Sequence, residues 1–305
     1  MIKVSIIILN WNRFDDTKEC LESLDKLKLK DNIQVNVLIV DNGSADDSIA
    51  KLKKLSFKNI NPDYLLNGAN LGFAAGNNRG MEKAIKEGAD YLVVLNNDTI
   101  VHEELITSVI SNMESNNVVV AAAPKIYFAK GFEFKDKYKQ SDLGKVIWYA
   151  GGEIDWNNVY GTARGVDEVD EGQFNSSVET DFATGACLFL KTTALKEVGL
   201  FNEKYFMYYE DTDLSQRLKL AGKKIVYDPS GVIWHKVAQS SGIGSNLNDY
   251  FTTRNRMLFG MKYASFRTKI ALLRESVRLL ISGRKYQKQG IKDFYLGRFG
   301  KGSWK

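Results

Sequence analysis

For the first 125 residues the apolar positions fall in short blocks that alternate with segments of helical period. Residues 4–9 form a compact apolar run, the mark of a strand buried on both faces. Asp15 or Thr17 is placed to cap a helix running to about Leu29. Residues 35–40 give a second strand, which Asp41-Asn42-Gly43 ends with turn chemistry. Asp46 or Asp47 opens a short helix to Leu55, and residues 63–67 form a weaker strand. A Gly/Asn-rich segment from Asn67 to Gly80 leads into a helix over 75–87. Residues 91–95 form a strong strand that stops at Asn96-Asn97-Asp98, followed by a helix over 103–113 and a strand over 118–123. Such alternation predicts an α/β fold, with a Rossmann-like, mostly parallel central sheet and helices on both faces.

The rhythm breaks between residues 126 and 180, where Gly, Asp, Asn, Lys and aromatic residues show little periodicity. This stretch reads as loops with short strands, not as a separate domain. Residues 183–190 are another buried run, 192–198 a short helix, and 214–221 a helix stopped by Gly222. Residues 225–227 and 232–234 read as two short strands. Beyond residue 253, Met257, Leu258, Met261, Phe266, Ile270, Leu273, Val277, Leu280 and Ile281 recur at largely helical spacing.

Composition narrows the picture. A length of 305 residues fits either two domains or one large α/β domain with additions. The expected division is a catalytic body over 1–253, with halves at 1–125 and 126–253, and a helical extension over 254–305. Two cysteines, Cys20 and Cys187, make neither a disulfide framework nor a four-cysteine zinc site, and imply a reducing compartment. Two histidines exclude a three-histidine metal site within one chain. No apolar run reaches the roughly 18 residues of a membrane span. The chain opens directly on a strand pattern without the features of a signal peptide, so the expected location is cytoplasmic.

The net charge of +5 hides an asymmetry. Residues 254–305 hold 14 basic and 2 acidic residues, whereas residues 1–253 hold 28 basic and 35 acidic. Arg267, Lys269, Arg274, Arg278, Arg284 and Lys285 lie among the apolar positions of the tail. That pattern fits a basic amphipathic helix resting on an anionic membrane, at the inner face of the cell membrane, and it fits equally a helix packed on the domain with a solvated basic face. No zinc-finger spacing or basic-region module points to nucleic acid.

Several clusters carry candidate chemistry. Ligands of a doubly wound sheet bind beyond the carboxyl ends of its strands, where Asp41 and Asp98 fall. Asp41 suits a base N–H or a ribose hydroxyl, and Asp98 suits a hard cation sharing substrate phosphates and water; either also fits a turn or helix cap. Gly68, Gly72, Gly76 and Gly80 are four apart, so neither G-x-G-x-x-G nor a P-loop is present. Small residues there permit close backbone approach to a ligand, or helix–sheet packing. Tyr208-Tyr209-Glu210-Asp211-Thr212-Asp213 sets three carboxylates within four residues. Neighbouring carboxylates can raise a pKa toward the range of a general base, and a second one can instead orient a substrate; the cluster also fits a solvated helix start. His235, at a strand end, could complete a divalent-metal shell with Asp98, or be an ordinary hydrogen-bonded group. His102, beside Glu103 and Glu104, looks like surface.

In order, these pieces resemble the family 2 glycosyltransferases of the GT-A fold, and within them the rhamnosyltransferase-like branch. The resemblance runs over residues 3 to 255. It rests on Ser5 to Asn12, Val40 to Asp46, Asn70-Leu71-Gly72-Phe73-Ala74 through Asn78-Arg79-Gly80, Leu95 to Asp98, Thr184 to Cys187, Gly199 to Glu203, Phe206 to Leu214 and Trp234-His235. The resemblance implies that Leu9, Asn10 and Asn12 line a nucleotide pocket with Asn70, Gly72, Asn78 and Asn97. Asp41 would bind the uracil or thymine ring. Asn96-Asn97-Asp98 would occupy the metal motif usually written Asp-x-Asp, with Asn96 in place of the first acid. Asp98 and His235 would hold Mg2+ or Mn2+. Asp211 would be the base of an inverting transfer, Glu210 its acceptor-side partner, and Asp213 a loop support. Trp148, Trp156 and Tyr160 could stack on a sugar or pack in the core. The implied donor is a dTDP- or UDP-sugar, dTDP-L-rhamnose first, and the implied acceptor a hydroxyl of a glycan or lipid-linked glycan in cell-surface polysaccharide synthesis. A non-catalytic nucleotide-sugar-binding protein and a nucleotidyltransferase are the competing classes. The first would not need Glu210-Asp211, and the second would show a Gly/Arg-rich phosphate loop that residues 10–15 lack.

Overall fold

The computed structural model describes residues 1–134, 137–237 and 245–304; Lys305, the last residue of the predicted tail, lies outside them. The chain opens with β1 (Ile2–Asn10), α1 (Phe14–Leu24), β2 (Ile33–Asp41), α2 (Ser48–Leu52), β3 (Asp63–Leu66), α3 (Gly72–Lys86) and β4 (Tyr91–Asn96). Then come β5 (Thr99–Val101), α4 (Leu105–Ser115) and β6 (Val119–Phe128). The middle supplies β7 (Ile147–Tyr149), β8 (Gly152–Asp155), β9 (Tyr160–Ala163), β10 (Val178–Glu179) and β11 (Cys187–Lys191). After α5 (Thr192–Val198), α6 (Glu210–Leu220) and β12 (Lys224–His235), the chain ends in α7 (Asn246–Tyr263), α8 (Phe266–Ser282) and α9 (Lys285–Tyr295).

The main sheet runs β10-β12-β6-β11-β4-β1-β2-β3. Its β1–β4 portion is parallel, as are β6 and β12, while β11 runs antiparallel between β4 and β6. Strand side chains alternate between faces. Gly76 and Gly80 of α3 sit against Leu9 and Ile7, whereas Thr17 of α1 donates to Asn10, so helices cover both faces of β1. A Cβ on Gly80 would lie 2.6 Å from Ile7 Cγ2 and 2.8 Å from Val40 Cγ2. The four-residue glycine period is thus a flat helix face that lets α3 settle onto the sheet.

Three departures from the sequence pattern have local causes. First, α1 ends at Leu24 and not near Leu29, because the Asp25 carboxylate accepts from the backbone N–H of Lys58, Asn59 and Ile60 and draws the chain away. Thr17, read as a cap, is instead buried against Asn10 at 2.8 Å. Second, residues 225–227 and 232–234 belong to one strand, β12, with a register irregularity between Asp228 and Val232. Asp228 accepts there from Ser230 and Asn112, replacing ladder bonds that Pro229 cannot make. Third, residues 183–186 leave the strand pattern. Their amides turn toward α6, with Ala183 N donating to Ser215 and Gly185 N to Asp211.

The C-terminal segment is three helices joined at Ser265 and Gly283. Helix α7 spans residues 253–254 without interruption and packs Met257 and Phe259 with Ile154, Val159 and Tyr205 in a second apolar cluster.

Candidate active site

Parallel register sets the site. Asn10 pairs with Asp41 across β1–β2, Leu9 with Asn96 across β1–β4, and Leu66 with Asp41 across β2–β3. The ends of these strands open on a cavity of about 430 Å³. Of the residues implied for the nucleotide, Leu9, Asn70, Gly72 and Asn97 line it, as do Asn96 and Asp98. Asn42, Phe73 and Phe206 also line it and were not singled out. Asn42 is buried and holds the wall together: its Oδ1 accepts from Leu71 N at 3.1 Å and Asn67 Nδ2 at 3.2 Å, and its Nδ2 donates to Asn70 Oδ1 and Gly72 O. A side chain on Gly72, whose φ is +83°, would enter the Phe206 ring at 2.4 Å.

Asn10, Asn12, Asp41 and Asn78 do not line the cavity. Asn10 is fully buried and donates to Asp41, Ser44 and Ser48. Asn12, at φ 54°, accepts from Ala45 N at 2.7 Å. Asp41 accepts from Ser44 N, Ser44 Oγ and Asn10 Nδ2, which leaves part of its acceptor capacity open. Asn78 faces away and clips Phe201 and Glu203 to α3.

Asp98 and His235 meet because β12 pairs antiparallel with β5, aligning His235 with Thr99. Asp98 Oδ1 lies 3.1 Å from His235 Nε2. The Trp148 ring meets the imidazole edge-on at 4.7 Å. The buried His235 Nδ1 has no hydrogen-bond partner. Two ligands on one edge of an octahedron with bonds of about 2.1 Å stand about 3.0 Å apart, so the spacing fits a divalent cation; the Asp98 oxygen is a hard donor, whereas the His235 nitrogen is a borderline one. Among the described residues, no group of three or more His, Cys, Asp or Glu gathers in metal-binding range. A cation here would therefore complete its shell with substrate oxygens and water.

The Glu210-Asp211 pair opens α6 after a strained approach: Phe206, Tyr208 and Tyr209 have φ of 66°, 65° and 71°. Non-glycine residues avoid this region, at a cost of roughly 1–2 kcal/mol each. The loop is held from α7. Asn255 Nδ2 donates to the carbonyls of Tyr205, Met207 and Tyr208, at 2.8, 2.8 and 2.9 Å. Arg254, fully buried, donates to Lys204 O and Tyr205 O. Neither residue was legible as a site residue; both fell within what read as the start of a basic tail.

Burial raises the Asp211 pKa, while hydrogen bonds from Gly185 N (2.9 Å), Thr212 N (2.6 Å) and Thr212 Oγ1 (3.1 Å) favour its charged form. Burial and then the Asp211 charge push Glu210 well above the carboxylate range, and its Oε2 has no partner. Both shifts run upward, and at Asp211 three hydrogen bonds oppose the effect of burial. The position a Cβ would take on Gly185 is 3.2 Å from the Phe73 ring of the cavity wall and 3.6 Å from Asp211 Oδ2. Neither Glu210 nor Asp211 lines the cavity; Gly185 stands between the Asp211 carboxylate and the Phe73 ring of its wall.

The remaining implied residues support the frame. Asp213 is fully buried and takes Arg217 at 2.8 Å, Lys262 at 3.0 Å and Tyr263 Oη at 2.8 Å. Trp156 stacks on Phe259 of α7 with ring centroids 5.8 Å apart, and Arg256 covers the Tyr160 ring at 4.2 Å.

The family described as Glycosyl transferase family 2 matches residues 5–198. An N-acetylglucosaminyl-diphospho-decaprenol L-rhamnosyltransferase of Mycobacterium tuberculosis is 29% identical over 228 residues, covering 72% of each chain. Rhamnosyltransferase WbbL of Escherichia coli is 27% identical over 234 residues, 74% of this chain and 81% of that one. Among solved structures, the Pyrobaculum calidifontis mannosyltransferase PcManGT, in complex with GDP-Man and Mn2+, superposes with a TM-score of 0.57 at 12% identity, over 95% of this chain and 73% of that one. GalNAc-T7 with UDP, GalNAc and Mn2+ gives 0.61 at 13% identity, over 97% and 57%. The fold is GT-A-like, and the chain belongs to glycosyl transferase family 2.

Proposed function

We propose that this glycosyltransferase is an inverting enzyme that moves a sugar, rhamnose before other hexoses, from a dTDP- or UDP-sugar to a hydroxyl of a glycan or lipid-linked acceptor. The rhamnosyltransferase names of two relatives support rhamnose as the transferred sugar, and the diphospho-decaprenol in one of those names supports a lipid-linked acceptor. In this division of labour residues 1–125 hold the nucleotide, residues 126–253 the acceptor side, and residues 254–304 brace the site.

The nucleotide lies between Leu9, Asn70, Gly72 and Asn97, with the remaining acceptor capacity of Asp41 open to the N–H of the base. Asn10, Asn12 and Asn78 keep the β1, β2 and α3 ends in place for it. Asp98 and His235 hold a divalent cation, Mg2+ or Mn2+, which when bound offsets charge on the departing diphosphate. Asp211 takes the proton from the attacking acceptor hydroxyl, and that oxygen bonds to the anomeric carbon on the face opposite the leaving diphosphate. Glu210, neutral, adds no second charge beside the base and hydrogen-bonds the acceptor. Asp213 ties α6 to α7, and Trp156 supports the acceptor loop from below.

The unlike environments of Glu210 and Asp211 carry this reading, because a protein that only binds nucleotide sugars has no use for a buried, split carboxylate pair. Asp211→Asn should keep nucleotide binding while transfer falls by roughly 10²–10⁴-fold. Transfer should also stop on chelation of divalent metal, and NMR of the product should show the inverted anomer. Full transfer by Asp211→Asn would remove the base; a retained anomer would remove the inverting mechanism.

The proposed location is peripheral, on an anionic membrane. No described helix is long and apolar enough to cross one. Phe266, Leu273, Val277 and Ile281 form one exposed apolar face of α8, beside the row Arg267, Arg274 and Arg278.

A further inference from the structure

The chain beyond α9 does not trail away. Gly297, Gly300 and Gly302 have φ of 65°, 63° and 59°, and the segment turns back to the body. Gly300 N donates to Lys204 O at 2.9 Å. The buried Asp293 carboxylate receives Ser303 N at 2.8 Å, Ser303 Oγ at 2.6 Å and the Tyr250 hydroxyl. Gln289 donates to Ser303 O at 3.0 Å. A Cβ on Gly302 would stand 2.2 Å from Tyr250 Oη, 2.8 Å from Arg254 Nη1 and 2.9 Å from Asp293 Oδ2. The position accepts glycine alone, on space as well as on φ.

This anchoring delivers Trp304 onto Tyr250, Phe251 and Tyr286, at centroid distances of 5.6, 5.9 and 5.3 Å. Phe251 in turn stacks on Phe206 of the cavity wall at 5.0 Å. Lys301 and Trp304 thereby join Leu9, Asn96 and Asp98 in lining the same cavity. The cavity's other charged lining residues are Arg13, Asp16 and Asp98. Arg13 stands 3.8 Å from Asp16, Asp16 also receives Lys236, and Asp98 faces His235. Lys301 makes no ion pair or side-chain hydrogen bond among the described residues.

We propose that residues 297–304 form a built wall of the substrate cavity, in which the Lys301 ammonium receives a substrate diphosphate and the Trp304 ring closes the cavity beside it. The proposal rests on the nucleotide-sugar reading above and adds to it a binding group from the far end of the chain. A diphosphate could enter from the nucleotide donor or from a diphosphate-linked lipid acceptor, and the chemistry at Lys301 is the same for both.

Lys301 is exposed, so Lys301→Ala should fold with an unchanged melting temperature. Calorimetric titration of the full chain with Mg2+ and UDP or dTDP should show affinity lowered roughly tenfold or more, the size of a lost charge-assisted contact, with UMP or dTMP affected less and Lys301→Arg restoring most of it. If nucleoside diphosphate binding is unchanged but KM for a diphosphate-linked acceptor rises by a similar factor, the diphosphate at Lys301 is the acceptor's. Inorganic pyrophosphate is the third probe. Lys301-dependent pyrophosphate binding by a protein that binds neither UDP nor dTDP would keep the diphosphate site at Lys301 and refute the donor reading. No change in any of the three affinities, or binding of none of the three by the wild-type chain, would overturn the proposal. Gly302→Val should displace the segment and reproduce the Lys301→Ala loss; full diphosphate affinity in that variant would also count against it.

Discussion

Asn255→Ala tests how the catalytic loop is held. In the wild-type chain one side-chain amide, with two N–H groups, serves the carbonyls of Tyr205, Met207 and Tyr208. Alanine leaves Met207 O and Tyr208 O without that donor, while Tyr205 O keeps Arg254, and a buried unsatisfied group costs about 1–3 kcal/mol. Two such groups come to roughly 2–6 kcal/mol. The loop itself stores strain at Phe206, Tyr208 and Tyr209, roughly 3–6 kcal/mol at 1–2 per residue. The two quantities are of similar size. The variant should therefore release its strain locally, exposing the carbonyls to water, and lose only about 2–3 kcal/mol of global stability. Release also moves Glu210 and Asp211, which follow Tyr209 directly, and a displacement near 1 Å at a reacting group costs about 10²-fold in rate. Urea unfolding gives the first quantity, and nucleotide-sugar turnover, with Asp211→Asn as the floor, gives the second. The expected signature is a fall in kcat much larger than any change in nucleoside diphosphate Kd. A variant that loses stability but keeps kcat would refute the claim that Asn255 positions the carboxylates, and would leave it a packing residue of α7.

Two further outcomes follow from the charges. Both carboxyls of the pair have raised folded-state pKa values, chiefly through burial. Activity should fall as pH drops through the raised pKa of Asp211, placing the acid limb above the ordinary carboxylate range. For stability the sign is opposite: the neutral form is the one favoured by folding, so the contribution is full below the unfolded pKa and is lost as pH rises toward the folded one. Glu210→Gln should flatten the decline of unfolding free energy with pH, removing a slope of at most about 1.4 kcal/mol per pH unit, and parallel pH profiles in urea melts would contradict the assignment of the proton to Glu210. On the surface, replacing Phe266, Val277 and Ile281 together by serine should leave the melting temperature near wild type and abolish sedimentation with phosphatidylglycerol vesicles; undiminished sedimentation would exclude α8 as the membrane face.

The sheet is legible in the sequence because each buried strand is an apolar block with turn chemistry after it, as in residues 4–9 and 91–95. Strand β5 is not legible: three residues after Asn96-Asn97-Asp98 become a strand only by pairing with β12, more than 130 positions away. Site residues divide in the same way. Asp98, His235, Glu210 and Asp211 stand out as chemistry at strand or helix ends. Whether a neighbour faces the cavity depends on strand alternation and loop closure, which motif order does not encode. Leu9 lines the cavity while Asn10, the next residue, points to α1 on the other face of the sheet. Asn70 lines it, but Asn78, eight residues on, clips the 201–203 loop.

The tail shows where composition misleads. Its 14 basic residues read as one charged surface, yet Arg254 is fully buried and Arg256 is closed by Glu275 at 2.8 Å. A guanidinium removed from water needs several acceptors in fixed directions. Arg254 finds them in Lys204 O, Tyr205 O and Asn255 Oδ1. The first two carbonyls belong to the segment entering the strained loop, and Arg254 also approaches Arg298 O of the returning C-terminal segment. Helix α7 therefore grips the approach to the catalytic pair and the residues carrying Lys301 at a single point. On the proposed function, disturbance of that point should act on both Asp211 and the cavity wall. This contact makes the buried arginine a structural tie between the 204–205 segment and the C-terminal turn, and not surplus charge.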